Sequence, residues 1–405
     1  MNNLLINKFS FLLLILVIPG LVSGPFIPDL FISILGTIFL INIFINKNFK
    51  FIYNNFLFFF ILFYFIILLS SLLSENILFS LESSLFYFRF GIFALVVSFI
   101  INCNSKYIKY FFLVTLMTFT LVSIDALYEI ILGHNIFLVS GGPGRIAGLF
   151  GEDFLVIGSF LSRNFPLLIF LFLYTNPTFK KVSSFYFLAI ISLSLFVIFS
   201  SGERTAIIII TLILFIYSVF LFKFYLIKYY KILLPVIFSL IIFCSLPFIF
   251  SDNQKKRITS DIKNHLSLDV NRSIYYAYYN TSYLMFLDKP IFGHGTKMFR
   301  KKCSEYKLSE KGCNSHPHST YFQLLAETGA IGFLSFFSIF IYVCTKIIKI
   351  ILKKNINILD WQKLSLLVSF FITTFPFIPS GNFFNNWLSV IYFLPVGFYI
   401  YLEKK

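Results

Sequence analysis

The chain predicts an all-α polytopic membrane protein: about twelve transmembrane helices and one large extracytoplasmic helical loop. Three observations predict it. Of 405 residues, 58% are hydrophobic and only 12% are charged, more apolar surface than a soluble domain of this length needs. Apolar runs of bilayer-crossing length recur throughout. Charge is sorted as well: lysines gather in alternate connectors, whereas Arg89, Arg145, Arg163, Arg204, Arg257, Arg272 and Arg300 all fall on the other side.

Spans are expected over 9–23, 26–46, 56–73, 84–102, 107–131, 155–174, 184–200, 204–222, 230–250, 319–345, 364–379 and 383–402. Lys8 and the apolar stretch to Val22 resemble a secretory signal. No A-x-A-like site follows and another apolar run begins at once, so a retained first helix is expected. Pro19, Gly20, Gly24, Pro25 and Pro28 punctuate the first hairpin. The last two spans are short, and their limits can shift.

Alternating assignment of the connectors puts Lys8, Lys47, Lys50, Lys106, Lys109, Lys180, Lys181, Lys223, Lys228 and Lys231 on one side. Lys346, Lys349, Lys353, Lys354, Lys363, Lys404 and Lys405 join them, against only Asp360 and Glu403. Short lysine-bearing loops mark the cytoplasm, which places both termini there. The net charge of +16 is thus a topology signal, and no nucleic acid is expected as a partner. The chain divides into 1–250 with nine spans, an extracytoplasmic loop over 251–318, and 319–405 with three spans, a single membrane domain overall. The loop is too short to bury much core alone and is expected to cap the bundle. The sequence shows no repeat period, no inverted duplication and no Walker loop.

The cysteines carry no CxxC and no metal-ligand spacing. Cys103, Cys244 and Cys344 read as small apolar packers. Cys303 and Cys313 share the large loop and can pair if it faces an oxidising compartment.

Planar, bidentate guanidinium groups gathered on one face point to phosphate or diphosphate chemistry there. His318 stands where the loop enters the tenth span, at a helix N-terminus whose free N–H groups favour an anion. It can bind that anion, act as a general base, or simply precede a helix capped by Ser319. Arg204, in Ser200-Ser201-Gly202-Glu203-Arg204, sits at another outer helix start. It fits a phosphate ligand or a snorkelling arginine held by Glu203. In Gly141-Gly142-Pro143-Gly144-Arg145, the glycines allow close backbone approach. Arg145 either meets a ligand or pairs with Glu152 or Asp153. Asp125 and Glu129 can orient an arginine or an acceptor hydroxyl. Arg272 opens an amphipathic helix followed by Tyr275, Tyr276, Tyr278, Tyr279 and Tyr283, suited to sugar rings or to the membrane interface. Arg89 and Arg163 read as interfacial. Lys255, Lys256 and Arg257, with Arg300, Lys301 and Lys302, read as solvated or headgroup-facing.

Four blocks stand in order: Arg145-x-x-Gly148-x-Phe150; Ser201-Gly202-x-Arg204; Arg272 with the later Asp288-x-Pro290-x-x-Gly293-x-Gly295; and His318-Ser319 with Gly329 and Gly332 downstream. This set, on such a bundle with a large loop before the tenth span, resembles the O-antigen ligase and O-antigen polymerase superfamily. The His318-to-Gly332 segment looks most like the ligase pattern. The resemblance implies a metal-independent glycosyltransferase of the membrane-embedded C type, without a cofactor, multi-pass in a bacterial inner membrane and active towards the periplasm. The implied donor is an undecaprenyl-diphosphate-linked glycan. The implied acceptor is lipid A–core for a ligase, as in lipopolysaccharide biosynthesis of the cell envelope. It is another lipid-linked repeat for a polysaccharide polymerase, or protein hydroxyls for some relatives. By position, His318 would be the catalytic or diphosphate-sensing histidine. Arg204 and Arg272 would hold the diphosphate with Arg145 as helper, and His316, Tyr321 and Glu327 would support them. Glu203 departs from the small polar residue usual beside that arginine, and His294 falls where the family varies. A transporter of lipid-linked glycan is the competing class, but the midspan regions are nearly charge-free.

Overall fold

The computed structural model describes residues 3–47, 49, 53–176, 181–221 and 267–404. Among them the protein is helical, with no strand. In chain order the helices are α1 Asn3–Ile15, α2 Val17–Val22, α3 Phe26–Asn46, α4 Asn55–Leu72, α5 Ile77–Ser84, α6 Phe88–Cys103, α7 Tyr107–Leu132, α8 Ile157–Thr175 and α9 Lys181–Ser200. Then follow α10 Arg204–Leu221, α11 Ile274–Asp288, α12 Phe299–Tyr306, α13 Thr320–Leu352, α14 Ile358–Thr374 and α15 Asn386–Glu403. Among the described residues, seven helical segments are long and apolar enough to cross a membrane. The chain is an all-α polytopic membrane protein. The span expected over 230–250 and the charges Lys255, Lys256 and Arg257 lie outside the described residues.

Most helices follow the apolar runs, and the departures have local causes. The first run breaks at Leu16 because Pro19 has no N–H to offer the Ile15 carbonyl. The fourth span starts at Phe88, preceded by the short α5, which Asn76 caps through the Phe79 N–H. The eleventh begins at Ile358, earlier than its apolar run, because Asn357 and Asp360 form a reciprocal capping box. It ends before Phe375, which Pro376 holds out of the helical region.

Helices α6 and α15 pack along each other at the centre, as do α8 and α14; α7 lies on α8 and α9. The described part of the large loop is tied to the bundle. Helix α11 packs on α13, and the Cys303–Cys313 disulfide joins α12 to the segment leading into α13, with Cα atoms 5.1 Å apart. Lys289 pairs with Glu75 at 2.8 Å, and Lys297 pairs with Glu82. Lys302, expected to be solvated, pairs with Glu75 at 2.5 Å instead. Lys289 and Lys302 hold the Glu75 carboxyl well down, at about 2.

Helix α13 is interrupted at Gly329, with φ 64° and ψ −165°. The loop's own backbone satisfies the opened turn. His294 and Gly295 N–H groups donate to the Ala326 and Glu327 carbonyls at 3.0 and 2.8 Å, and Ala330 N–H donates to the Pro290 carbonyl at 2.8 Å. Ser70 Oγ adds a bond to the Glu327 carbonyl at 2.7 Å. The Pro290-to-Gly295 block and the Gly329 break are therefore two halves of one joint.

Candidate functional site

A cavity of about 1320 Å³ opens where the loop meets the helix ends. Its wall combines the α2–α3 turn, the start of α8, the turn before α10, part of α11, the segment before α13 and the turn before α15.

The glycine-rich loop after α7 is shaped from below by Glu129. This carboxylate accepts the N–H groups of Gly141, Ala147 and Gly148 at 2.9, 3.0 and 2.7 Å. Asp125 takes the Ile136 N–H at 3.1 Å. The two acids thus organise backbone rather than an arginine or a hydroxyl. Arg145, carried by that loop, lies on the wall and donates Nη2 to the Leu155 carbonyl at 2.5 Å. Gly202 has φ +69°, and a Cβ there would fall 1.9 Å from the Gly144 carbonyl oxygen. Only glycine lets the two turns touch, which sets Arg204 beside Arg145's loop. Glu203 reaches the α8 N-terminus, accepting Gly158 and Ser159 N–H at 2.6 and 3.1 Å and Ser159 Oγ at 2.7 Å. It acts as a cap supplied from another helix's start.

His318 adopts φ 55°, a left-handed turn just before Ser319 caps α13. Its ring stacks on Tyr278 with centroids 5.5 Å apart and meets Tyr275 edge-on. Asn314 Nδ2 donates to Tyr278 Oη at 3.0 Å and to His318 Nε2 at 3.3 Å, so Nε2 carries a lone pair. The His318 carbonyl accepts Ser380 N–H at 2.9 Å. The His316 ring lies 4.1 Å away, centroid to centroid. Burial lowers both imidazole pKa values; for His316, with the His318 and Arg300 charges adding, the value is about 3. Both rings are therefore neutral at pH 7.

Of the expected site residues, Arg145, Arg204, His316 and His318 share the cavity wall. Arg272 is not on it: its side chain is 75% exposed and faces Asp269 at 3.5 Å. Tyr321 and Glu327 are buried behind the wall. The Tyr321 hydroxyl donates to the Thr374 carbonyl at 2.5 Å. Glu327 accepts from the Phe299 N–H and the Gln323 side chain, which in turn holds the turn before α15. His294 is buried against the Met285 carbonyl at 2.9 Å.

Two wall residues escaped the sequence reading. Arg300, read as solvated, is exposed as expected, and it also lines the cavity mouth. Arg163, read as interfacial, is 5% exposed and also lines the cavity. Its signal was the Ser159–Arg163 spacing, which puts both residues on one face of α8. Arg89, by contrast, pairs with Asp29 at 2.8 Å. No cluster of three His, Cys, Asp or Glu among the described residues is placed to hold a metal ion.

Fold and site define a polytopic membrane protein with an arginine- and histidine-walled cavity under a helical cap. Residues 187–337, which run from within α9 through the turn before α10 and the loop to the first half of α13 with its break at Gly329, match the family described as O-Antigen ligase. The match covers less than half of the chain and likens this segment to that family. No curated protein matches the chain.

Proposed function

We propose that this protein transfers a glycan from an undecaprenyl-diphosphate carrier to an acceptor at the extracytoplasmic membrane face, with lipid A–core as acceptor in an O-antigen ligation. The observation that carries this reading is the convergence of Arg145, Arg204, Arg300 and two neutral histidines on one cavity. Cations suit a diphosphate leaving group; a neutral imidazole suits proton acceptance. The acceptor hydroxyl attacks the anomeric carbon. The bond from that carbon to the phosphate oxygen breaks, and the diphosphate leaves with the electron pair, its charge met by the guanidinium groups. His318 Nε2 takes the hydroxyl proton. The carrier bond is already activated, so no nucleotide is consumed.

Removing a general base costs about 10²–10⁴ in rate, and removing a donor to developing negative charge about 10²–10³. His318→Ala and Arg204→Ala are expected to lose transfer by those factors while the protein inserts at wild-type levels, read by glycan transfer in reconstituted membranes. Wild-type rates in both variants would end the proposal. A deletion strain separates the acceptors: loss of all attached polymer with carrier-linked polymer accumulating marks a ligase, and a single attached repeat marks a polymerase.

A further inference from the structure

Arg163 is the most anomalous charge in the described molecule. It lies in the second turn of α8, 5% exposed, among the buried Phe160, Leu161, Phe165 and Leu167. Its Nε is buried without a partner, and among the described residues no carboxylate pairs with it. Tyr392 is close enough to feel its charge. Buried guanidinium groups are costly and are normally matched by an anion. This one faces the cavity. Its depth says which part of a ligand it meets. Glu203, next to Arg204, bonds the Gly158 N–H at 2.6 Å, so the starts of α8 and α10 stand level. Arg163 follows Gly158 by five residues, about 7–8 Å deeper along the helix at its usual rise. Its side chain leans back towards the helix N-terminus, hence towards the level of Arg204 from below.

We propose that Arg163 binds the lipid-proximal phosphate of a polyprenyl diphosphate, while Arg204 at the rim meets the sugar-side phosphate. The ligand class rests on the glycan-carrier reading given above. Buried charge on the lipid side would let the site hold a polyprenyl monophosphate as well, the species with only that phosphate.

The test uses the full chain in phosphatidylcholine nanodiscs and measures binding of undecaprenyl phosphate and undecaprenyl diphosphate. Arg163→Met should weaken both lipids by about tenfold or more and by similar factors, as loss of a charge-assisted contact does. Arg163→Lys should recover part of the loss. Arg204→Ala should weaken the diphosphate selectively. Ligand-free Arg163→Met should melt above the wild type, since a lone buried charge has gone; a structural arginine would do the reverse. Equal binding of both lipids by wild type and Arg163→Met overturns the proposal and leaves the carrier reading standing. So does a lower melting point for Arg163→Met that Arg163→Lys does not restore. A third overturning result is an Arg163 effect that appears only when phosphatidylglycerol replaces phosphatidylcholine, for then the bound phosphate is a bulk headgroup. A wild type that binds neither lipid sinks the carrier reading itself.

Discussion

His318 can accept a proton only while neutral, and its surroundings decide the pH at which that ends. Burial against Tyr278 and Tyr275 lowers its pKa from the ordinary 6.5. The midpoint of the acid limb of transfer should therefore lie below 6.5. Tyr278→Ala, which opens one face of the ring to water, should bring the acid limb back up towards 6.5. An acid limb at or above 6.5 in the wild type would remove His318 as the base. The same depression acts on stability. A histidine buried neutral favours the fold fully above 6.5, and for His316 that contribution drains away as pH falls from 6.5 through about 3. His318 was legible because a histidine and a serine stand directly before an apolar run, the pattern of a helix start. Arg163 was not, because its meaning comes from what surrounds it: the neighbouring helices bury it, and no local pattern reports their approach.

The broken α13 shows what a glycine spacing can and cannot disclose. Gly329 and the Pro290-to-Gly295 block were visible as motifs, but their mutual fit was not, because it joins positions far apart in the chain through backbone atoms alone. At Gly329, φ is +64° and an added Cβ would sit 2.3 Å from the Ile291 carbonyl oxygen. A side chain there meets both an unfavourable backbone region, about 1–3 kcal/mol, and a wall that cannot yield without breaking the bonds from His294, Gly295 and Ala330. Gly329→Ala should therefore cost about 2 kcal/mol or more. It should appear as a lower midpoint of thermal unfolding in detergent, with transfer falling because His318 and Ser319 begin the same helix. A wild-type midpoint would mean that the joint does not hold the cap.

At the scale of the whole molecule, the all-α polytopic class was the most readable property, because apolar runs of bilayer length announce helices without reference to side-chain packing. Acids and bases are interleaved around the large loop, where Glu75 and Glu82 take up Lys289, Lys297 and Lys302. The connector between α13 and α14 carries Lys353 and Lys354 with Asp360 as the nearby acid. The closure of the cavity was far less readable, since it requires the α2–α3 turn, α8, α10 and the turn before α15 to arrive at one place. The orientation proposed for the site, with the cavity facing away from the cytoplasm, puts this positive connector on the cytoplasmic side. The disulfide agrees with that side, as cytosolic thiols are kept reduced. A membrane-impermeant maleimide tests it in intact cells. With Cys103, Cys244 and Cys344 replaced by serine and the disulfide left in place, Glu310→Cys should label at once. Lys354→Cys should label only after permeabilisation. The opposite pattern would put the arginine-walled cavity on the cytoplasmic side, and a transfer reaction at the outer face would then have no site in this protein.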